Sequence, residues 1–310
     1  MNIAIVGAGY WGPKLIKIFQ SIPAVSVAAL CDLNQELLSR VGNECGLSDR
    51  LTTDFDSLLR DEGRSRGIDA VVLATPPGTH YELAKKALSR GRHVFVEKPL
   101  ATRYGDAKEL AEISQEKGLT LFVDHTFCYD EVFGEIRKKI ANGDLGAISY
   151  ARFSWLGARQ KEHGPDVLWD SGPHAFAAFQ FLVGKRPIRV SMKKFASLPS
   201  GVPSALAGRI FFEGDGNGGK PFADIVLAWK DQEIDGYSVP KSAEVIIQGA
   251  REAIRYEGSF EKRAAASYTG PHRVEIPRSP FAPAVFNGEA VPFSGISYAD
   301  EPLKSACQAF

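Results

Sequence analysis

The segment that most constrains this chain is Gly7-Ala8-Gly9-Tyr10-Trp11-Gly12, set directly between an apolar run, Asn2–Val6, and a helical pattern over residues 14–21. Glycine at the first position permits a tight turn, at the second lets main chain approach a diphosphate, and at the third lets the helix pack closely on the strand. Pro13 falls in the first helical turn, where an N–H has no partner in any case. The helix N-terminus then offers N–H groups and positive potential to phosphate. Such a glycine pattern is weak evidence alone. Asp32 strengthens it, because it ends the second apolar run about 20 residues on, where a carboxylate accepts both hydroxyls of an adenosine ribose. That charge repels a 2′-phosphate, and Leu33 and Asn34 follow with no arginine beside them, so NAD is favoured over NADP. The bland alternative is a glycine turn and a solvated strand-end aspartate in an unrelated doubly wound fold. It is outweighed by strand, glycines, helix and Asp32 falling in register.

Residues 1–124 alternate short apolar runs (Asn2–Val6, 25–31, 70–74, 93–96, 120–123) with helical patterns at 14–21, Gln35–Glu44, 81–90 and 106–117, and a weaker one near 57–59. The runs are apolar throughout, as strands covered on both faces require, which predicts a doubly wound parallel sheet of Rossmann type. After a further helical pattern, Glu131–Ala141, the runs at 151–155, 188–195, 206–212, 223–229, 243–248 and 253–257 follow one another mostly without helices. That predicts an open, mostly antiparallel α+β domain. The glycine-rich residues 213–220 read as a hairpin loop, and residues 269–295, with five prolines, as irregular. The expected division is a dinucleotide-binding domain, 1–124, a substrate and oligomerisation domain, 125–298, and the opening of a C-terminal helix, 299–310, returning to the first domain.

A chain of 310 residues can hold two ordinary cores. With 37 basic and 37 acidic residues it has no net charge, and so no field of one sign to attract nucleic acid, an anionic membrane or a polyacidic partner. A small-molecule partner fits better. Cys31, Cys45, Cys128 and Cys307 are scattered without a C-x-x-C pair, which argues against a disulfide framework or zinc and for a reducing compartment. No metal-ligand spacing joins the six histidines. The chain enters a strand at once, and no apolar run reaches the roughly 18 residues of a membrane span, so a cytoplasmic protein is expected.

Residues 70–80 end a buried strand in Thr75-Pro76-Pro77-Gly78-Thr79-His80, a turn that must lie at the carboxyl edge of the sheet, where ligands bind in such folds. The strand at 93–96 delivers Glu97 and Lys98 to the same edge, with Pro99 fixing the backbone after them. A solvated strand end would explain such a pair elsewhere in a protein. At the cofactor edge it points to a site.

At these residues, together with Trp169-Asp170-Ser171-Gly172-Pro173-His174, the chain resembles the glucose-fructose oxidoreductase, inositol dehydrogenase and rhizopine-catabolism group, Gfo/Idh/MocA, over nearly its whole length. The phrases Gly9-Tyr10-Trp11-Gly12, His125-Thr126-Phe127 and Leu168-Trp169-Asp170 are most similar to the branch that oxidises nucleotide-linked sugars at C3. The resemblance implies an NAD-dependent dehydrogenase acting on a secondary hydroxyl of a sugar, nucleotide sugar or cyclitol, built as a homodimer or homotetramer. It implies that Lys98, Asp170 and His174 face the nicotinamide, that Glu97 reaches its ribose, and that Thr75, Pro76 and His80, beside Tyr10 and Trp11 of the turn, line the cofactor. If residues 170–174 open a helix with Pro173 in its first turn, Asp170 and His174 fall on one face at i and i+4. Imidazole suits the task of general base at neutral pH, with Lys98 hydrogen-bonding the same oxygen and stabilising developing alkoxide charge, although either could accept the proton. Asp170 would orient His174 or bind a neighbouring hydroxyl.

Weaker substrate candidates are His125 at the last strand's end, Tyr129, and Arg159, which could clamp a diphosphate or carboxylate. His93, His163 and His272 read as structural or surface groups. The chain departs from the family at Ala177, where an acidic residue often stands three positions after the histidine, and the run to Phe310 resembles the opening of a helix that the family completes with further turns. A truncation is therefore expected, with apolar surface left uncovered. Two other functions remain open: a catalytically decayed NAD-binding partner subunit, suggested by Ala177 and the short C-terminus, and an NADPH-dependent imine or enone reductase, against which Asp32 counts.

Overall fold

The computed structural model describes residues 1–60, 67–158, 166–214, 221–229, 233–234, 237–238, 242–258, 263–269, 274–275, 285–286, 289–292 and 302–310. They form two compact units, Met1–His125 with Leu303–Phe310, and Thr126–Pro302.

In the first unit the alternating pattern becomes β1 (Asn2–Val6), α1 (Gly12–Gln20), β2 (Ser26–Cys31), α2 (Gln35–Glu44), β3 (Leu51–Thr52), β4 (Ala70–Leu73), α3 (Pro77–Ser89), β5 (His93–Glu97), α4 (Tyr104–Lys117) and β6 (Leu121–Asp124). The sheet order is β3-β2-β1-β4-β5-β6, parallel throughout. The chain therefore winds outward from β1 in both directions, and the reversal between β1 and β4 leaves a crevice at the strands' carboxyl ends. Both faces are covered, as the continuous apolar runs require. Ile3, Ile5, Val72 and Phe95 pack under α1 and α2, whereas Ala4, Val6, Val71 and Val94 pack with Ala84, Leu88 and Leu110 of α3 and α4. Helix α3 begins at Pro77, earlier than the apolar period suggested, because a proline at the first helical position gives up no hydrogen bond. The weak pattern near 57–59 is a 3₁₀ turn, Phe55–Leu59.

The last helix of the chain belongs to this unit. Its Leu303 and Cys307 join the first core, and Phe310 sits edge-on to Phe95 and Phe122, at 5.5 and 5.9 Å.

The second unit opens with a 3₁₀ turn, Thr126–Tyr129, and α5 (Glu131–Ala141), whose N-terminus is capped by the Asp130 carboxylate accepting from the Val132 N–H at 2.8 Å. Strand β7 (Ile148–Ala158) and α6 (Val167–Val183) follow, then β8 (Pro187–Ser197), β9 (Pro203–Phe212), β10 (Phe222–Trp229), the short pair β11 (Glu233–Ile234) and β12 (Tyr237–Ser238), β13 (Ser242–Gly249), β14 (Glu252–Gly258), β15 (Arg263–Thr269), the short pair β16 (Val274–Glu275) and β17 (Val285–Phe286), and β18 (Glu289–Pro292). Helix α7 (Pro302–Ala309) is the segment returned to the first unit.

The main sheet runs β18-β15-β14-β13-β7-β10-β9-β8, and its neighbours are antiparallel except for β7 with β10. One face packs Phe153, Ile225, Leu227 and Val245 against Ala175, Phe179 and Leu182 of α6 and Phe133 and Ile136 of α5. The other carries ion pairs, Arg209 with Asp224 at 2.7 Å and Arg255 with Glu244 at 2.8 Å. Strand β15 was not expected. Its Arg-Ala-Ala-Ala-Ser-Tyr-Thr run has little apolar alternation in sequence, and the strand is placed by backbone pairing with β14 and β18. Within the stretch read as irregular, residues 274–275, 285–286 and 289–292 are short strands.

Helix α6 corrects one expectation. It opens at Val167, where the Asp166 side chain accepts from the Leu168 and Trp169 N–H groups, both at 3.0 Å, so Pro173 lies inside the helix rather than in its first turn. Aspartate is a strong N-cap, and the helix starts where that cap stands. Among the described residues no helix is long and apolar enough to cross a membrane.

Candidate functional site

In the first unit the candidate residues lie along the carboxyl ends of the strands. Gly7 has φ +104°, and its N–H donates to the Cys31 carbonyl at 2.8 Å, which ties the glycine turn to β2. A Cβ on Gly7 would meet the Ala74 carbonyl oxygen at 2.5 Å, and one on Gly12 would meet the Gly7 carbonyl oxygen at 2.1 Å. Both glycines are therefore demanded by the protein's own main chain. Gly9 is different: it is exposed, and among the described residues nothing lies within 4 Å of where its Cβ would be. Protein packing does not explain a glycine there, whereas the close approach of a ligand to its backbone does. The turn thus fits a dinucleotide.

Asp32 is half-buried and holds the turn as well as facing the crevice. Its Oδ2 accepts from the Ala8 N–H at 2.7 Å and its Oδ1 from the Asn34 N–H at 2.8 Å. Each carboxylate oxygen keeps a lone-pair direction that a ribose hydroxyl can use. Tyr10 is 74% exposed, and the Lys14 ammonium lies over the Tyr10 and Trp11 rings at 3.9 and 4.5 Å from their centroids. These residues place an aromatic and cationic platform beside the turn.

After β4, Thr75 and Pro76 lead into α3, and the Thr79 hydroxyl donates to the Thr75 hydroxyl at 2.7 Å. His80, expected to line the cofactor, is fully buried instead. Its ring nitrogens lie 2.7 Å from the Pro99 carbonyl and 2.8 Å from the Thr75 carbonyl. Burial pushes its pKa down, against the pull of these two acceptors. His80 therefore joins the Thr75 turn to the loop after β5 and positions both.

Glu97 and Asp124 end β5 and β6 as register partners, and both are buried, 7% and 2% exposed. They continue the face on which Phe95 stacks on Phe122 at 5.1 Å. The Asp124 Oδ1 is buried with no hydrogen-bond partner among the described residues, and burial, followed by the adjacent Glu97 charge, pushes its pKa well above the ordinary carboxylate range, while Lys98 opposes the shift. The His125 imidazole is pushed down to about 4 by burial and by the Lys98 charge, so it is neutral at neutral pH. Glu97, Lys98, Asp124 and His125 are thus gathered at one edge. Of these, Asp124 was not singled out from the sequence. An acidic residue closing an apolar strand, as Asp32 does, was the available signal.

In the second unit Asp170 and His174 stand one turn apart on α6. The His174 ring stacks on Trp155 of β7, with centroids 5.0 Å apart and planes 11° from parallel, and meets Phe127 edge-on at 5.3 Å. Neither ring was anticipated, because nothing in their spacing relates residues 127, 155 and 174. The next helical turn offers no carboxylate: the Ala177 carbonyl accepts from the Cys128 thiol at 3.8 Å. Tyr129 ends the 3₁₀ turn and is half-buried. Arg159, His163 and His272 lie outside the described residues. Among the described residues no group of three or more His, Cys, Asp or Glu side chains is arranged to hold a metal.

Comparison with known proteins agrees with this architecture. Residues 1–125 match the Gfo/Idh/MocA model described as an oxidoreductase family with an NAD-binding Rossmann fold. The chain is 29% identical over 193 residues to 4-carboxy-2-hydroxymuconate-6-semialdehyde dehydrogenase of a Sphingobium species, covering 60% of each chain. It is 28% identical over 197 residues to scyllo-inositol 2-dehydrogenase (NAD(+)) of Bacillus subtilis, covering 62% of this chain and 56% of the relative. The chain spans about half to three fifths of the length of the curated relatives it matches. In fold it is similar to UDP-N-acetylglucosamine 3-dehydrogenase GnnA from Acidithiobacillus ferrooxidans, with a TM-score of 0.72 at 19% identity, covering 100% of this chain and 88% of that one. Residues 1–125 are thus an NAD-binding Rossmann domain of the Gfo/Idh/MocA oxidoreductase family.

Proposed function

We propose that this protein is an NAD-dependent oxidoreductase that interconverts a secondary hydroxyl and a ketone on a sugar, nucleotide sugar or cyclitol. The observation that carries the reading is the glycine turn, where Gly7 and Gly12 face main chain while Gly9 leaves its backbone open. Asp32 supports NAD over NADP, since its carboxylate would repel a 2′-phosphate. The nicotinamide, when bound, takes up or returns a hydride. His174 receives the hydroxyl proton, and Asp170, on the same helical face, orients it or binds a neighbouring hydroxyl. Lys98 hydrogen-bonds the reacting oxygen and stabilises negative charge on it. Glu97 takes the nicotinamide ribose, Thr75 and Pro76 line the cofactor, and His125, Tyr129 and Arg159 contribute to the substrate side.

The four free thiols support a cytoplasmic setting. A symmetric homo-oligomer is part of the proposal, because edge strand β8 exposes Ile188 and Val190 at 49% and 57%.

The test is reduced-nicotinamide absorbance with purified protein, NAD and a panel of polyols and nucleotide sugars. Lys98→Ala and His174→Ala should each lower turnover by about 10²-fold or more. Full turnover in either variant would remove that residue from the mechanism. Tight NAD binding without turnover across the panel would favour the decayed partner subunit, for which the alanine at position 177 speaks. Activity confined to NADPH and a non-sugar imine or enone would favour the reductase.

A further inference from the structure

We propose that Trp155 is a positioning residue for His174: its indole face fixes the plane of the imidazole and stabilises the imidazolium formed when the ring takes a proton. The inference rests on the reading of His174 as the proton acceptor, and its geometry stands apart from that reading.

The rings are near-parallel, 11° between planes with centroids 5.0 Å apart, an arrangement in which a cation on one ring meets the negative face of the other. Phe127 closes a second side, perpendicular to both rings, at 5.3 Å from His174 and 5.3 Å from Trp155. The support is itself supported: Trp155 stacks on Phe153 at 6.1 Å, and Phe153 is 1% exposed within the core under α5 and α6. Trp155 and Phe153 alternate along β7 onto the same face, the face α6 packs against. The imidazole is therefore held by a rigid stack rooted in the sheet.

Two titratable groups flank its helical turn. Asp170 stands one turn earlier on α6, and the Cys128 thiol of the 3₁₀ turn bonds the Ala177 carbonyl one turn later. The Cys128 pKa is pushed up to about 11, so the thiol carries no charge at neutral pH. The indole face beneath the imidazole favours its charged form.

The experiment is a pH titration of His174 by NMR of the ring protons, assigned with His174→Gln, in the full-length protein, Trp155→Leu and Trp155→Phe. A cation–π contribution of about 0.5–2 kcal/mol corresponds to roughly half a unit to one and a half units, so Trp155→Leu should titrate lower by that amount and Trp155→Phe by less. In the unmutated chain the indole emission should be quenched along the same curve, and that component should vanish in Trp155→Phe, which reads the contact even if Trp155→Leu does not fold. An unchanged or raised midpoint in Trp155→Leu, or emission indifferent to His174 protonation, overturns the inference. Where turnover exists, the acid limb of the kcat profile should move with the NMR midpoint while KM stays within about twofold. A shifted midpoint in a protein without turnover supports the stack and rejects only the enzymatic role of His174.

Discussion

Around the glycine turn the first unit is fixed by main-chain atoms, a carbonyl 2.1 Å from where a Gly12 Cβ would lie and another 2.5 Å from a Gly7 Cβ. Around His174 the second unit is fixed by rings, Trp155 beneath it and Phe127 at its edge. The sheets follow the same division. The first is parallel and apolar on both faces, while the second buries one face under α5 and α6 and sets ion pairs on the other. A main-chain constraint admits one residue type and so leaves a mark at a fixed place in the sequence. A ring-packing constraint admits many solutions and leaves none.

Three substitutions in the first unit test this contrast. Gly12→Ala should have the largest effect, about 3 kcal/mol or more of stability with loss of NAD binding, because the added methyl meets a backbone carbonyl that cannot turn aside. Thermal unfolding and a fluorescence titration with NAD would measure it, and a stable, NAD-competent variant would break the comparison.

Asp124→Asn should act by pH. With its folded-state pKa raised, Asp124 keeps its proton in the native protein over a range where the unfolded chain has lost it. Stability therefore falls as pH rises from about 4 toward the raised value and stays lowered above it. The variant lacks this dependence, so above that range it should be the more stable by at least about 1 kcal/mol, with no advantage below about pH 4. Parallel denaturation curves for the two proteins at every pH would show Asp124 to be an ordinary carboxylate.

Gly9→Ala should have the smallest effect on folding, within about 0.5 kcal/mol, while weakening NAD by about tenfold or more. Normal affinity would mean that Gly9 is not where the cofactor comes closest.

Much of the first unit was legible because its signals are local. Gly7 to Gly12, Asp32, Thr75 and Glu97-Lys98-Pro99 each sit at the end of an apolar run, and in a parallel sheet every such end lies on one edge. The burial of His80 was not legible for the converse reason: a histidine one turn into a helix after such a strand can face the crevice or the interior, and the choice fell to the Thr75 and Pro99 carbonyls beside its two nitrogens. In the second unit the helix carrying Asp170 and His174 was legible, but its start was set by Asp166, and β15 found its place through its neighbours' unpaired backbone.

What the sequence alone determined was the order of apolar runs, the glycines that only a tight main chain requires, and the one-turn spacing of Asp170 and His174. Periodicity and backbone freedom are properties of neighbouring residues, and they are written in the chain itself. Only the tertiary structure decided that Asp124 would stand beside Glu97, that Phe310 would pack on Phe95 and Phe122, and that His174 would lie on Trp155. Those pairs depend on strand register and on the packing of segments remote in sequence, which no local pattern encodes.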